Sequence, residues 1–138
     1  MKNFAIKVDA LTGEEYYEVR IRGSQLINNA FLNKASAFDR EERKCLALEG
    51  HLRSAVQTLD QQAQRVMENY ARKPSDIERY IFLQGLLDRN ETLFYKVVVD
   101  HLQEMVPIVY TPTVGQACLM ASHIQRRYRG MYIPPENI

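Results

Sequence analysis

Apolar residues along this chain recur mostly at spacings of three and four, the period of helices that bury one face. The exception lies near the N-terminus, where Tyr17, Val19 and Ile21 alternate with Glu18, Arg20 and Arg22 between Gly13 and Gly23. That alternation predicts a half-buried strand or extended arm within residues 1–23. A lone strand is not stable, so it needs a partner in this chain or another. Asn28-Asn29 predicts a turn. Asp39, with Glu42 three residues on, reads as a capping box. The helix it opens carries Leu46 and Leu48 and has Gly50 as its expected C′ stop. Ser54 is the expected start of a second helix, with Val56, Leu59, Ala63, Val66, Met67 and Tyr70 on one stripe and Lys73-Pro74 at its end.

Ser75 and Glu78 predict another capping box. The helix behind them, Ile77 to Leu87, is apolar nearly all round, so it belongs at the centre of a core or in a subunit interface. Asn90 is a good N-cap for the next helix. Its stripe of Leu93, Phe94, Val97, Val98, His101, Leu102 and Met105 should run unbroken to Pro107, since residues before proline avoid the α region. A last helix is expected from Pro112, carrying Val114, Ala117, Cys118, Ala121 and Ile124. Met131-Tyr132-Ile133 predicts a short strand, and Pro134-Pro135 an exit. The fold class is therefore mainly α: an N-terminal arm followed by a helical body over residues 24–138, with one or two short peripheral strands.

Length and composition narrow the classes of function. A chain of 138 residues makes one domain and buries roughly two-thirds of its unfolded surface, enough for a real core. The formal net charge is +1, which gives no reason to expect a nucleic-acid or membrane partner. No apolar run reaches membrane-spanning length. Residues 1–9 lack the apolar centre of a signal peptide and the arginines of a transit peptide, so a cytoplasmic location is expected. Cys45 and Cys118 lack metal or redox spacing and are expected to be reduced, partly buried thiols. His51 and His123 are isolated, and His101 should be packed on its apolar stripe. Arg126, Arg127 and Arg129 fit a solvated helix end.

The densest chemistry lies in Pro107-Ile108-Val109-Tyr110-Thr111-Pro112-Thr113-Val114-Gly115. Thr111 suits an N-cap and Pro112 a first helical turn. The free N–H groups of Thr113, Val114 and Gly115 would then sit beside the Tyr110 phenol, at a helix end that attracts anions. The same residue types also suit a plain tyrosine packed in the core with its hydroxyl bonded to backbone.

Tyr110 to Gly115 resembles the Tyr-Thr-Pro-Thr-Val-Gly signature of malic enzymes, which oxidatively decarboxylate malate to pyruvate. Leu32-Asn33-Lys34, Ala37-Phe38, Glu41-Glu42-Arg43, Gln61 to Arg65, Arg89-Asn90-Glu91, Leu93-Phe94-Tyr95 and Arg127 to Gly130 are similar to further blocks of that family. The resemblance runs from about Arg22 to the C-terminus, and Ala35 stands where the family usually has Gly. It implies the N-terminal domain of a malic enzyme. It implies that Tyr110 is the general acid, with Thr111, Pro112, Thr113, Val114 and Gly115 beside the substrate, malate or pyruvate. An ordinary phenol, with a pKa near 10, holds the proton such a step donates. Arg65 and Arg89 match positions that bind fumarate in the fumarate-stimulated branch, and two guanidiniums suit a dicarboxylate. Ordinary ion pairs, for example with Asp60 or Asp88, are the plainer reading of the same residues.

NAD or NADP and Mg²⁺ or Mn²⁺ are implied for the full-length enzyme, which is expected to be a dimer or tetramer. The family's base lysine, metal carboxylates and dinucleotide glycines match nothing here, and no Gly-x-Gly-x-x-Gly occurs. The chain alone is therefore expected to bind no cofactor or metal and to be inactive. The alternative is a stand-alone helical oligomerisation or regulatory module without catalysis.

Overall fold

The computed structural model describes residues 3–125, 127, 128, 133, 134 and 136. The fold is mainly helical, with one small sheet. The expected strand is β2, Glu15–Val19, and its partner is β1, Phe4–Val8, antiparallel with Phe4 opposite Val19 and Val8 opposite Glu15. β1 was legible but unread: Phe4, Ile6 and Val8 alternate with Ala5 and Lys7. The connecting turn is held by Asp9, whose carboxylate accepts from the N–H groups of Leu11 and Thr12 at 2.8 and 3.0 Å. Phe4 and Tyr17 cross the sheet to Phe31, with ring centroids 5.0–5.6 Å apart.

Helix α1, Gly23–Ile27, turns at Asn28 as the asparagine pair predicts. A short 3-10 turn at Ala35–Ala37 leads to α2, Arg40–Cys45. Asp39 and Glu42 form the expected capping box around the α2 start. Its end differs from expectation, because Gly50 is not the C′ residue. Ala47 takes that place at φ +54, with its N–H on the Lys44 carbonyl and the Leu48 N–H on that of Arg43. This is a Schellman closure on an alanine. Ala35 is also left-handed, at φ +48. That accounts for its place in the sequence comparison, since glycine takes this conformation without a Cβ clash.

Ser54 opens no helix. Residues 53–55 lie outside any helix, and their carbonyls accept from the Arg43 guanidinium. This side chain is 7% exposed and gives every N–H to backbone oxygen. Its Nε donates to Phe38 at 2.8 Å, Nη1 to Arg53 and Ser54 at 2.7 and 3.3 Å, and Nη2 to Ser36 and Ala55, both at 3.2 Å. The second long helix, α3, Leu59–Ala71, starts instead at Thr58, which forms a capping box with Gln61. Leu26, Leu32, Phe38 and Leu48 fill a small core beside this arrangement.

Helix α4, Asp76–Leu87, begins at Ser75, whose Oγ accepts from the Glu78 N–H; the return bond of a full capping box is not made among the described residues. Helix α5, Glu91–Asp100, is capped by Asn90 as expected. The stripe does not continue to Pro107. The chain breaks at His101 (φ −123°, ψ 37°) and restarts as α6, Leu102–Val109, with Pro107 inside it. The restart leaves the proline in the second turn of a short helix, and it leaves His101 and Leu102 exposed rather than packed. The last helix is likewise split, into α7, Thr113–Leu119, and α8, Ala121–Ile124. The expected strand at Met131 to Ile133 and the exit at Pro134-Pro135 fall largely outside the described residues.

Helix α4 packs against α3, α5, α6 and α7. Leu83 and Leu86 are buried in the core, Tyr80, Phe82 and Leu87 pack partly buried against it, and Ile77 and Ile81 also keep partial exposure. The larger core joins Leu83 and Leu86 to Val66, Tyr70, Phe94 and Val97, with Met105 and Ile108 of α6. Each fully buried leucine contributes about 1.5–3 kcal/mol. The two cores meet along one seam. The Ala30 carbonyl accepts from the Glu91 N–H at 2.9 Å, the Asn33 amide donates to the Arg89 carbonyl at 2.9 Å, and the Gln62 amide donates to that of Lys34 at 3.3 Å.

Two stability measurements follow. Arg43→Met keeps the apolar stem but strips five carbonyls of their donor, and it should cost about 3 kcal/mol or more in denaturant unfolding; a cost below about 1 kcal/mol contradicts the account. Ala35→Gly and Ala47→Gly remove left-handed strain, and each should stabilise by roughly 1 kcal/mol, read as a raised thermal midpoint.

Candidate functional site

Tyr110 ends α6 and stands at the corner before α7. Its backbone is extended (φ −129°, ψ −154°), its N–H donates to the Val106 carbonyl at 2.9 Å, and its own carbonyl accepts from the Val114 N–H at 2.9 Å. The corner is thus fixed by main chain while the side chain is 67% exposed. The hydroxyl bonds to no described residue. A tyrosine packed in the core with its hydroxyl satisfied by backbone is excluded.

The surroundings differ from the expected helix-end cradle. Thr111 is not the N-cap of α7; that position falls to Pro112, after a cis Thr111-Pro112 bond, and no side chain caps the helix. The Val114 and Gly115 N–H groups are taken by the carbonyls of Tyr110 and Pro112, at 2.9 and 3.1 Å. They do not stand free beside the phenol. The α7 helix is short, and its first turn is closed on its own backbone. Thr111, Pro112 and Gly115 are exposed, Val114 is half-buried, and Thr113 is buried.

Arg65 and Arg89, far apart in sequence, line one open cavity of about 310 Å³ at the seam between the two cores. That volume is at the small end for ligand pockets, which run from about 300 to 1,000 Å³. Asn33, Ala35 and Asn90 also line it, and residues 110–115 do not. Arg89 donates to the Gly85 carbonyl at 2.9 Å. Neither arginine is in a salt bridge among the described residues. Asp60 pairs with Lys96 at 2.9 Å instead, so the ion pair weighed for Arg65 is not made there.

The remaining candidates are placed plainly. Cys45 and Cys118 are free, and both are exposed rather than partly buried. His51, His101 and His123 are exposed. Arg127 donates to the Asp88 carbonyl at 3.1 Å, while Arg126 and Arg129 lie outside the described residues. Among the described residues no group of three or more His, Cys, Asp or Glu is arranged to hold a metal ion. No helix among them is long and apolar enough to cross a membrane. Tyr70 is buried at 1% exposure, its hydroxyl has no partner among the described residues, and burial raises its pKa above the ordinary value, with the nearby Glu104 carboxylate adding to the rise. It packs under the Arg79 guanidinium, 5.4 Å from the ring centre, as a core residue.

The profile of the family described as "Malic enzyme, N-terminal domain" matches residues 87–138, the segment that holds Tyr110, Arg89 and Asn90. The chain carries a malic enzyme N-terminal domain. It is similar to NAD-dependent malic enzyme 3 of Bacillus subtilis (strain 168), 47% identical over 133 residues, which are 96% of this chain and 23% of that protein. NAD-dependent malic enzyme of Acinetobacter baylyi is 46% identical over 111 residues, 80% of this chain and 20% of that protein. The mitochondrial NAD-dependent malic enzyme of Ascaris suum is 49% identical over 112 residues, 81% of this chain and 17% of that protein. The chain thus spans less than a quarter of the length of these relatives. The Bacillus similarity also reaches well before Arg22, into the hairpin, further than the motifs alone extend.

Because the Tyr110 ring is exposed and its hydroxyl has no partner among the described residues, Tyr110→Phe should change unfolding free energy by no more than about 0.5 kcal/mol. A larger loss would mean the phenol carries structure.

Proposed function

We propose that this chain is the N-terminal part of an NAD-dependent malic enzyme that converts L-malate to pyruvate and CO₂, and that Tyr110 is its general acid. The observation that carries this reading is an exposed phenol, held by a fixed backbone corner, inside the segment matched to the family. The chemistry asked of it is one proton. Loss of CO₂ leaves the electron pair of the broken C–C bond in the enolate of pyruvate. The phenol O–H gives its proton to the terminal carbon of that enolate, which becomes the methyl group. The phenolate left behind recovers a proton from solvent, to which its 67% exposure gives access. Malate oxidation and decarboxylation use NAD and a divalent metal in the whole enzyme. No part of those steps is assigned to the described residues of this chain.

Two further elements belong to the reading. Arg65 and Arg89, on one cavity, form a site for a dicarboxylate such as fumarate, each guanidinium facing one carboxylate. Self-association is supported by the hairpin, where Ile6, Val8 and Tyr17 are each half-exposed or more on its apolar face, an edge that a second copy would cover. A cytoplasmic enzyme is the location in keeping with this reading.

In the whole enzyme, Tyr110→Phe should lower kcat by about 10²–10⁴-fold while the KM for malate stays within about threefold, since only a transition-state contact goes. The 138-residue chain alone, given malate, Mn²⁺ and NAD, should reduce no cofactor. Turnover of the variant within about threefold of the parent would remove Tyr110 from the chemistry.

A further inference from the structure

We infer that the outward row of α6, Leu102 and Val106, is a docking face for the NAD- and metal-binding part of the same malic enzyme, and that this contact sets Tyr110 against the substrate. The inference rests on the reading of the chain as the N-terminal part of that enzyme, and adds the surface that joins the two parts.

Leu102, Val106 and Tyr110 follow one another one helical turn apart. The Tyr110 N–H closes the last turn on the Val106 carbonyl at 2.9 Å. They form a single row along α6 that ends at the phenol. Leu102 is 54% exposed and Val106 42%, and just ahead of the break at His101, Val99 is 70% exposed. The other side of α6 is already spent, because Met105 and Ile108 are buried in the larger core. A surface helix normally turns polar residues to water. Helix α3 does so with Gln61, Gln64, Glu68 and Asn69. Helix α6 is apolar on both sides, and a contiguous apolar patch marks a surface built to be covered.

The end of the row identifies the occupant. Malate lies between Tyr110 and the NAD and metal that the rest of the enzyme brings, so that rest must come up to the corner where the row ends. The relatives have the length for it, since the matched stretch is 23%, 20% and 17% of them. A second copy of this domain seated on α6 would instead crowd the phenol and shut the substrate out. An apolar contact one turn from the acid also fixes where the phenol meets the enolate carbon, and catalysis falls steeply with small misplacements.

In the whole enzyme, Leu102 is replaced by the photoreactive p-benzoylphenylalanine, and cross-linked peptides are identified by mass spectrometry. The exposure of Leu102 lets the domain itself accept the larger side chain. The cross-link should reach enzyme sequence beyond residue 138. A cross-link into residues 1–138 of a second copy, or none at all, overturns the inference. Leu102→Gln combined with Val106→Gln should leave the unfolding midpoint of the 138-residue chain near that of the parent. In the whole enzyme the same pair should lower kcat at least about tenfold. A kcat within about threefold of the parent overturns the claim that the contact positions Tyr110. A parent enzyme that turns over no malate fails the functional reading, whereas an active parent with either contrary result fails this inference alone.

Discussion

A guanidinium buried without a carboxylate organises the N-terminal half of this protein. Arg43 reaches back to Ser36 and Phe38 and forward to Arg53, Ser54 and Ala55, so three separate stretches of chain are ordered around one side chain. Burying a charge is costly, and what offsets it is the planar fork of arginine, whose N–H groups all find oxygen. Lysine has too few donors in the wrong geometry. Arg43 holds the 3-10 turn at Ser36, and the loop just before that turn meets the helical core through Ala30 and Asn33. The cavity with Arg65, Arg89 and Asn90 exists because that loop forms one of its walls.

Much of the helical body was legible because its signals are local. The caps at Asp39 and Asn90 and the stripe through Val66 and Tyr70 depend on spacing alone, and they formed as written. The failures have other causes. Ser54 looked like a helix start, and a distant arginine took the carbonyls around it. Pro107 looked like a helix stop, yet the chain broke at His101 and carried the proline inside α6. Gly50 looked like a C′ residue, and Ala47 was forced into that conformation by the Schellman bonds. At Ser54 a side chain ten or more residues away overrode a local preference, whereas the closure at Ala47 is made by local backbone bonds within residues 43–48.

The candidate site divides the same way. The Tyr110 segment was conspicuous in sequence, but two of the three N–H groups expected to be free, those of Val114 and Gly115, are bonded to the carbonyls of Tyr110 and Pro112. What survives is a phenol presented to solvent by a rigid corner. Arg65 and Arg89 gained support, since the fold brings them to one cavity.

The two sites are separate surfaces, and the central claim concerns the exposed one: that Tyr110 protonates the terminal carbon of the pyruvate enolate. Exchange of pyruvate methyl protons with deuterium, followed by NMR in the whole malic enzyme, isolates that step from malate oxidation. The parent should exchange, and Tyr110→Phe should lose at least about a hundredfold in exchange rate while still binding pyruvate. Exchange within about threefold of the parent would contradict the account and leave Tyr110 as a surface residue.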